Sequence, residues 1–297
     1  MKQTLAMVLM LLAGSAGAAE KKSVVGVFLP SSVNNGQERL NFAESISAGL
    51  SKALGHPVVG RNFGRYEDFA KAVADGSLEM AIVEAWVAAE STANFVPIAS
   101  ASIGGQAQQR WGLLARSKTS VRALSGKRLA MTKAVSAQDW KFLNNVIFVG
   151  DLNAQKYFKL VSVPSVESAL KAVEVKGAEV ALVPLSSVTK ESPVIYRSPR
   201  IPGAVVISFR GDREEQQRAV VGLGAVLPVD HFAPLKGNEV SDLRALVLKG
   251  PPKRLPQLAE SPTLRLDVTP LINLAQIGMV LPSFVEGIDA SNEKPDD

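Results

Sequence analysis

Two stretches of this chain, one hundred positions apart, carry nearly the same word. Asp68-Phe69-Ala70-Lys71-Ala72-Val73 leads to Glu79-Met80-Ala81-Ile82-Val83, and Ser168-Ala169-Leu170-Lys171-Ala172-Val173 leads to Glu179-Val180-Ala181-Leu182-Val183. Each copy reads as a helix, a small turn residue (Gly76 or Gly177) and a short apolar strand that stops at Glu84 or Pro184. A unit repeated in register across its whole length signals a duplicated architecture, here two similar α/β lobes. Ligands of open α/β sheets sit outside the carboxyl ends of the strands, so two such lobes face to face form a ligand cleft.

The 297 residues suffice for two lobes. Residues 1–19 differ in kind: Lys2, the apolar run Leu5 to Ala13 and the small residues Ala16-Gly17-Ala18 have the plan of a secretory signal peptide. That run is too short to cross a bilayer, which takes ~20 apolar residues, and no later run is long enough, so the mature form is expected to have no membrane span. The chain has no cysteine. No disulfide stabilises it and no thiol follows the leader to take a lipid. The expectation is a soluble periplasmic protein, exported through a cleaved signal peptide and not lipid-anchored. The formal charge is +5, and cleavage removes Lys2 to leave +5 − 1 = +4. The basic residues are scattered, with none of the long runs of a nucleic-acid arm, and export argues further against such a partner.

Along the mature chain, Val24 to Leu29 is a continuous apolar run of the kind buried in a parallel sheet. Phe42, Ile46, Leu50 and Leu54 recur every four residues and predict a helix closed by Gly55. Strands at Val58-Val59, 78–83 and 95–99, with a helix over 66–75, complete a βαβαβ order, which implies a mostly parallel sheet with helices on both faces. Extended segments at 110–116 and 203–209 are read as the two crossings between lobes. In the second half, strands are expected at 146–149, 159–163 and 194–196, and helices over 165–174 and 213–227. The pattern weakens after Pro228. A late helix is expected over 270–281, and the polar residues 287–297 as a frayed tail.

The chemistry-bearing residues are few. The chain has only His56 and His231 and no cysteine, so there is no His/Cys metal cluster and a zinc site is not expected. A Ser-His-Asp triad is not ruled out by sequence, but neither histidine has a nucleophile context and there is no Gly-x-Ser-x-Gly elbow. Gly126-Lys127 lacks the spacing of a phosphate loop, and Gly222-Leu223-Gly224 does not follow a strand. No catalytic residue, metal ligand or cofactor motif is assigned. The informative positions lie where strands end. Ser31 and Ser32 follow the first strand, Tyr66 opens the first repeated helix, and Ser136 opens the first helix of the second lobe, with Asp139 completing a capping box. Free backbone N–H groups at such places hold anions, and serine is also the preferred cap; both readings stand. Glu84 ends the third strand and needs a donor or cationic partner. Trp86 and Trp140 are either ligand-stacking rings or core.

In their order, several short motifs resemble a known family. They are Gly26-Val27-Phe28-Leu29-Pro30 at the start, the helix-to-strand unit Tyr66–Glu84, Leu124-Ser125-Gly126-Lys127-Arg128-Leu129-Ala130 at the entry to the second lobe, and Ser198-Pro199-Arg200-Ile201-Pro202-Gly203 before the return. Over residues 24–225 the chain resembles type 2 periplasmic solute-binding proteins, most closely the phosphate/phosphite/phosphonate branch that serves ABC importers. The resemblance implies a two-lobed fold with mixed, mostly parallel sheets and a hinge of two crossing strands. It divides the chain into a first lobe (24–110), a second lobe (111–206) and a return to the first (207–286). It also implies an inner-membrane ABC permease as partner and, for the binding protein itself, a monomer. In that branch hydroxyls, helix N-termini and an early tyrosine hold the phosphorus oxyanion, which maps here onto Ser31, Ser32, Tyr66 and Ser136. The second lobe departs from the pattern, with Ala134-Val135-Ser136-Ala137-Gln138-Asp139 in place of a Ser/Thr-Ser-Gly cluster. The candidate ligand-binding set is Ser31, Ser32, Tyr66, Glu84, Trp86, Ser136, Gln138, Trp140 and Pro184. The expected function is capture of a small oxyanion or phosphonate-like solute for import. The alternatives are a periplasmic ligand-sensing module for a membrane receptor and, behind it, an exported hydrolase.

Overall fold

The computed structural model describes residues 22–33, 35–132, 139–189, 192–235 and 237–251. The expected leader, the 270–281 helix and the polar tail lie outside them. The chain opens as β1 (Ser23–Phe28), α1 (Gly36–Leu54), β2 (Val58–Asn62), α2 (Tyr66–Ala74) and β3 (Met80–Glu84). It continues through α3 (Ala85–Glu90), β4 (Val96–Ile103), β5 (Gln108–Gln109), β6 (Trp111–Ala115) and β7 (Arg128–Thr132). Next come α4 (Asp139–Lys141), which runs into a π-helical turn over Phe142–Ile147, then α5 (Ala154–Tyr157), β8 (Lys159–Val163), α6 (Val166–Glu174) and β9 (Val180–Pro184). The last described elements are β10 (Val194–Arg197), β11 (Ile201–Pro202), β12 (Ala204–Ser208), α7 (Arg213–Val221), β13 (Val229–Pro234) and α8 (Glu239–Lys249).

The strands form two main sheets. One runs β2-β1-β3-β12-β4-β13 and the other β8-β7-β9-β6-β10. Within each, three parallel strands (β2-β1-β3 and β8-β7-β9) are flanked by an antiparallel strand, β12 against β3 and β6 against β9. The repeated word is therefore a repeated structure. Helices α2 and α6 and strands β3 and β9 have bounds offset by one hundred residues.

Alternation along the strands sorts side chains into layers. Val25 and Val27 of β1, with Met80 and Ile82 of β3, pack against Phe42, Ile46 and Leu50 of α1. Ala81 and Val83 point the other way, into a second cluster that also holds Trp86, Trp111, Phe142, Leu182 and Val240, so this core is continuous from one sheet to the other. Ala130, Ala181 and Val183 close a third layer against Val166, Ala169 and Val173 of α6. Helix α1 starts where the Asn35 side chain accepts the Glu38 N–H and ends at left-handed Gly55. It crosses β2 so closely that a Cβ on Gly60 would lie 2.1 Å from the Ala43 carbonyl oxygen.

Several sequence expectations are corrected here. The segments at 110–116 and 203–209 hold β6 and β12, which are interior strands buried at every position. The crossing itself is a short antiparallel ribbon, β5 with β11, pairing Gln109 with Ile201 and Gln108 with Pro202. A long apolar run belongs inside a sheet, whereas a crossing needs only two or three residues. The expected strand at 146–149 is instead the end of a helical stretch, to Ile147, and the turn that follows it. Phe142, Leu143, Val146 and Ile147 are buried on one face, a spacing of four that belongs to a helix. Helix α7 stops at Val221, short of Leu227, because Gly222 and Gly224 follow. The described residues after Pro228 supply β13, on the edge of the first sheet, and α8, which packs on α3 and on the π-helical turn. There the Asn145 side chain donates to the Val247 carbonyl (2.9 Å).

The turn between repeated helix and strand also differs between the copies. Gly76 takes φ +62°, and the residue with the same φ in the second copy is Lys176, not Gly177. A left-handed lysine is strained by roughly 1–2 kcal/mol, partly offset by the ~0.5–1 kcal/mol that glycine loses in chain entropy on folding. Lys176→Gly is thus expected to stabilise the fold by about 0.3–1 kcal/mol, read as a rise in Tm; a fall in Tm would contradict this account. The acidic residue after each turn is ion-paired, Glu79 with Arg210 (3.9 Å) and Glu179 with Arg128 (2.7 Å). Hydrogen bonds from the Arg128 side chain and backbone N–H hold the Glu179 carboxyl down at about 2. A depressed carboxyl contributes stability above its ordinary value of 4.5 and loses it as pH falls towards 2. The pair is more than a third exposed, so the effect is small. Wild type should lose slightly more stability than Glu179→Gln between pH 4.5 and 2, measured by denaturant melts, and parallel curves would refute the assignment.

Candidate functional site

The carboxyl ends of the parallel strands of both sheets meet. Strand β1 runs into Leu29-Pro30-Ser31-Ser32, β3 ends at Glu84, and β7 ends at the buried Thr132. Ser31 Oγ of the first lobe lies 3.5 Å from Thr132 Oγ1 of the second, a contact across 101 positions of sequence. The register explains it: Val25 pairs with Met80 in one sheet and Leu129 with Val180 in the other, which makes Phe28 and Thr132 equivalent strand ends.

Glu84 is the centre of this junction and is fully buried. Its Oε1 accepts the Ser31 backbone N–H at 2.7 Å and the Ser32 hydroxyl at 3.1 Å, and its Oε2 accepts the Trp86 indole N–H at 2.5 Å. Burial pushes its pKa up, and the hydrogen bonds from Trp86, Ser31 and Ser32 oppose the rise. Arg39, one turn into α1, lies within the field of Glu84 and donates to the Val33 carbonyl (3.1 Å). Its own pKa is lowered by burial, against the pull of Glu84 and Glu38.

The aromatics divide. Trp86 is wholly buried, 5.6 Å from the Phe142 ring, and Phe142 meets Trp111 edge-on at 5.8 Å. Trp86 is thus core between the two sheets rather than a ring open to solute. Trp140 is half-buried against the same cluster. Pro184 is buried at the end of β9, where it pairs with Trp111. Tyr66 is half-buried beside Phe28, with ring centroids 6.2 Å apart. Burial and the charges of Glu90 and Glu67 raise its pKa. Ser31, Ser32, Glu84 and Trp86 are therefore brought together, whereas Ser136 and Gln138 lie outside the described residues. Sequence reading missed Thr132, Arg39, Phe142 and Trp111. The repeat offered a signal for Thr132, because aligning the strand ends puts it opposite Phe28. Arg39 and the two rings had none, since their roles arise from packing between the sheets.

Both histidines lie elsewhere. His56 Nε2 is 2.8 Å from Ser23 Oγ at the amino end of β1, and its Nδ1 hydrogen-bonds the Leu54 carbonyl (3.1 Å) where a triad would need a carboxylate. His231 Nε2 is 3.1 Å from Ser102 Oγ on neighbouring strands. Among the described residues no cluster of three His, Cys, Asp or Glu side chains is arranged to hold a metal, and no helix is long and apolar enough to cross a membrane.

Trp86→Phe keeps the ring against Phe142 and removes one donor from a buried carboxylate. A hydrogen bond to a charged group contributes ~1.5–3 kcal/mol, and the variant should lose about that much in urea melts. A loss below ~0.5 kcal/mol would show that the indole does not hold Glu84.

The family model of ABC-transporter phosphonate periplasmic substrate-binding proteins matches residues 31–222, about two thirds of the chain. No curated protein sequence matches significantly. Solved structures do. One is the binding-protein component of an ABC phosphonate transporter from Pseudomonas aeruginosa (16% identity, TM-score 0.60, 76% of this chain and 85% of that one). A second is PhnD1 from Prochlorococcus marinus in complex with methylphosphonate (12% identity, TM-score 0.61, 77% and 98%). A third is XAC2383 from Xanthomonas citri bound to ATP (14% identity, TM-score 0.61, 77% and 97%). At these identities the likeness is one of fold, the two-lobed type 2 architecture, and together with the extent of the family match it means that the chain belongs to the phosphonate periplasmic substrate-binding proteins of ABC transporters.

Proposed function

We propose that this chain captures a small phosphonate-like solute between its lobes and delivers it to an inner-membrane ABC permease, without catalysis. In this reading it is exported through the leader at residues 1–19 and works as a soluble periplasmic monomer. The lobes run over 24–110, 111–202 and 203–286, the return starting at 203 and not at 207 because all of β12 lies in the first sheet, and the solute is held by residues from the set around Ser31, Ser32, Tyr66, Ser136 and Gln138. The observation that carries the reading is the convergence of strand ends from both sheets at Ser31 and Thr132, beside a crossing as short as the β5–β11 ribbon. Rotation about such a ribbon opens and closes a cleft, against the apolar packing that continues from one sheet to the other. The family match and the fold shared with a methylphosphonate-bound protein give the solute class. The Leu54 carbonyl at the back of His56 supports a non-catalytic role.

A thermal-shift screen of the full chain against alkyl- and aminoalkyl phosphonates, phosphate, phosphite, sulfate and ATP tests this. A solute at one hundred times its Kd stabilises the folded state by ~2.7 kcal/mol, so a true ligand should raise Tm by several degrees. No shift with any phosphorus compound would reject the proposal.

A further inference from the structure

The first-lobe side of the cleft carries a buried carboxyl group of its own, Glu84. The Ser32 hydroxyl, one of the donors that the family reading assigns to the solute's oxyanion, and the backbone N–H of Ser31 both point at Glu84 Oε1, at 3.1 and 2.7 Å. The carboxylate is fully buried and its other oxygen is held by the Trp86 indole. A fully buried, triply donated carboxylate at a strand end is a built feature, since burying a charge is unfavourable unless donors meet it. Tyr66, the third expected oxyanion contact, has its phenol pKa raised by burial and by the negative charges of Glu90 and Glu67. Arg39, whose charge is felt by Glu84, donates to the Val33 carbonyl (3.1 Å).

We infer that Glu84 determines specificity: its carboxylate occupies the Ser31 N–H and the Ser32 hydroxyl and repels a second anion, so a bare phosphonate or phosphate is disfavoured against one that carries a cationic group. This rests on the cleft being the solute site, as proposed above. The physical basis is that two like charges cannot share one set of donors unless one of them is neutralised. A solute ammonium supplies the missing positive charge, and a methyl group does not.

Isothermal titration of the full chain with methylphosphonate, inorganic phosphate and 2-aminoethylphosphonate tests the inference in wild type, Glu84→Gln and Glu84→Ser. Wild type is expected to bind 2-aminoethylphosphonate at least ~10-fold more tightly than methylphosphonate or phosphate. Both variants should bind methylphosphonate at least ~10-fold more tightly than wild type does. Wild-type affinity for methylphosphonate equal to that of a folded variant would overturn the inference and leave the cleft reading intact. Binding of none of the three probes by wild type or by a folded variant would overturn both. If circular dichroism shows that neither variant folds, the wild-type ratio decides. A ~10-fold preference for the aminoalkyl compound supports the role of Glu84, and equal or reversed affinities refute it.

Discussion

A carboxylate cannot be left bare inside a protein, and the burial of Glu84 organises much of what surrounds it. Its demand for donors fixes the loop after β1, because the Ser31 N–H and the Ser32 hydroxyl must both face the end of β3. It fixes the entry to α3, because the indole of Trp86 must turn back two residues to reach Oε2. Once turned, the Trp86 ring lies against Phe142, which the chain reaches only after crossing to the second sheet. One side chain at one strand end thus links a loop, a helix start and the contact between the lobes.

That contact is more extensive than the hinge alone requires. The core that includes Phe28 and Val83 continues through Trp86, Trp111 and Phe142 to Leu182. Helix α8 lies across it, with Val240, Leu243 and Val247 buried and the Val247 carbonyl bonded to Asn145. Any opening of the lobes must therefore separate apolar surface as well as bend the β5–β11 ribbon. At ~25 cal/mol per Å² of apolar area exposed, this packing favours the closed arrangement. Solute affinity then depends on how much of that apolar contact the solute leaves in place.

The duplicated fold was legible in the sequence because it rests on backbone periodicity. The repeat at Asp68 and Ser168 placed α2, β3, α6 and β9, and the four-residue spacing of Phe42 to Leu54 placed α1. Failures came where apolar runs have two solutions. Residues 146–149 read as a strand, yet Val146 and Ile147 belong with Phe142 and Leu143 on one helical face. Residues 110–116 and 203–209 read as crossings because both are extended, and extension alone does not distinguish a linker from the middle of a sheet. Lys176 shows a subtler limit. The repeat carried the left-handed turn to the second copy, but the glycine stands one residue further on, and only the backbone reveals which residue bears the strain.

The site was legible in its positions and not in its partnerships. Strand ends pointed to Ser31, Ser32 and Glu84, but a list of donors and acceptors does not say which will satisfy one another. The serines were read as caps or solute contacts and the glutamate as needing a donor or a cation, and the shortest solution is for them to meet. This follows from the order of burial. The loop after β1 and the end of β3 belong to neighbouring strands of one sheet, so their side chains come together when that sheet forms, before any solute arrives. A donor that a neighbouring acceptor has already claimed is available to a ligand only by exchange.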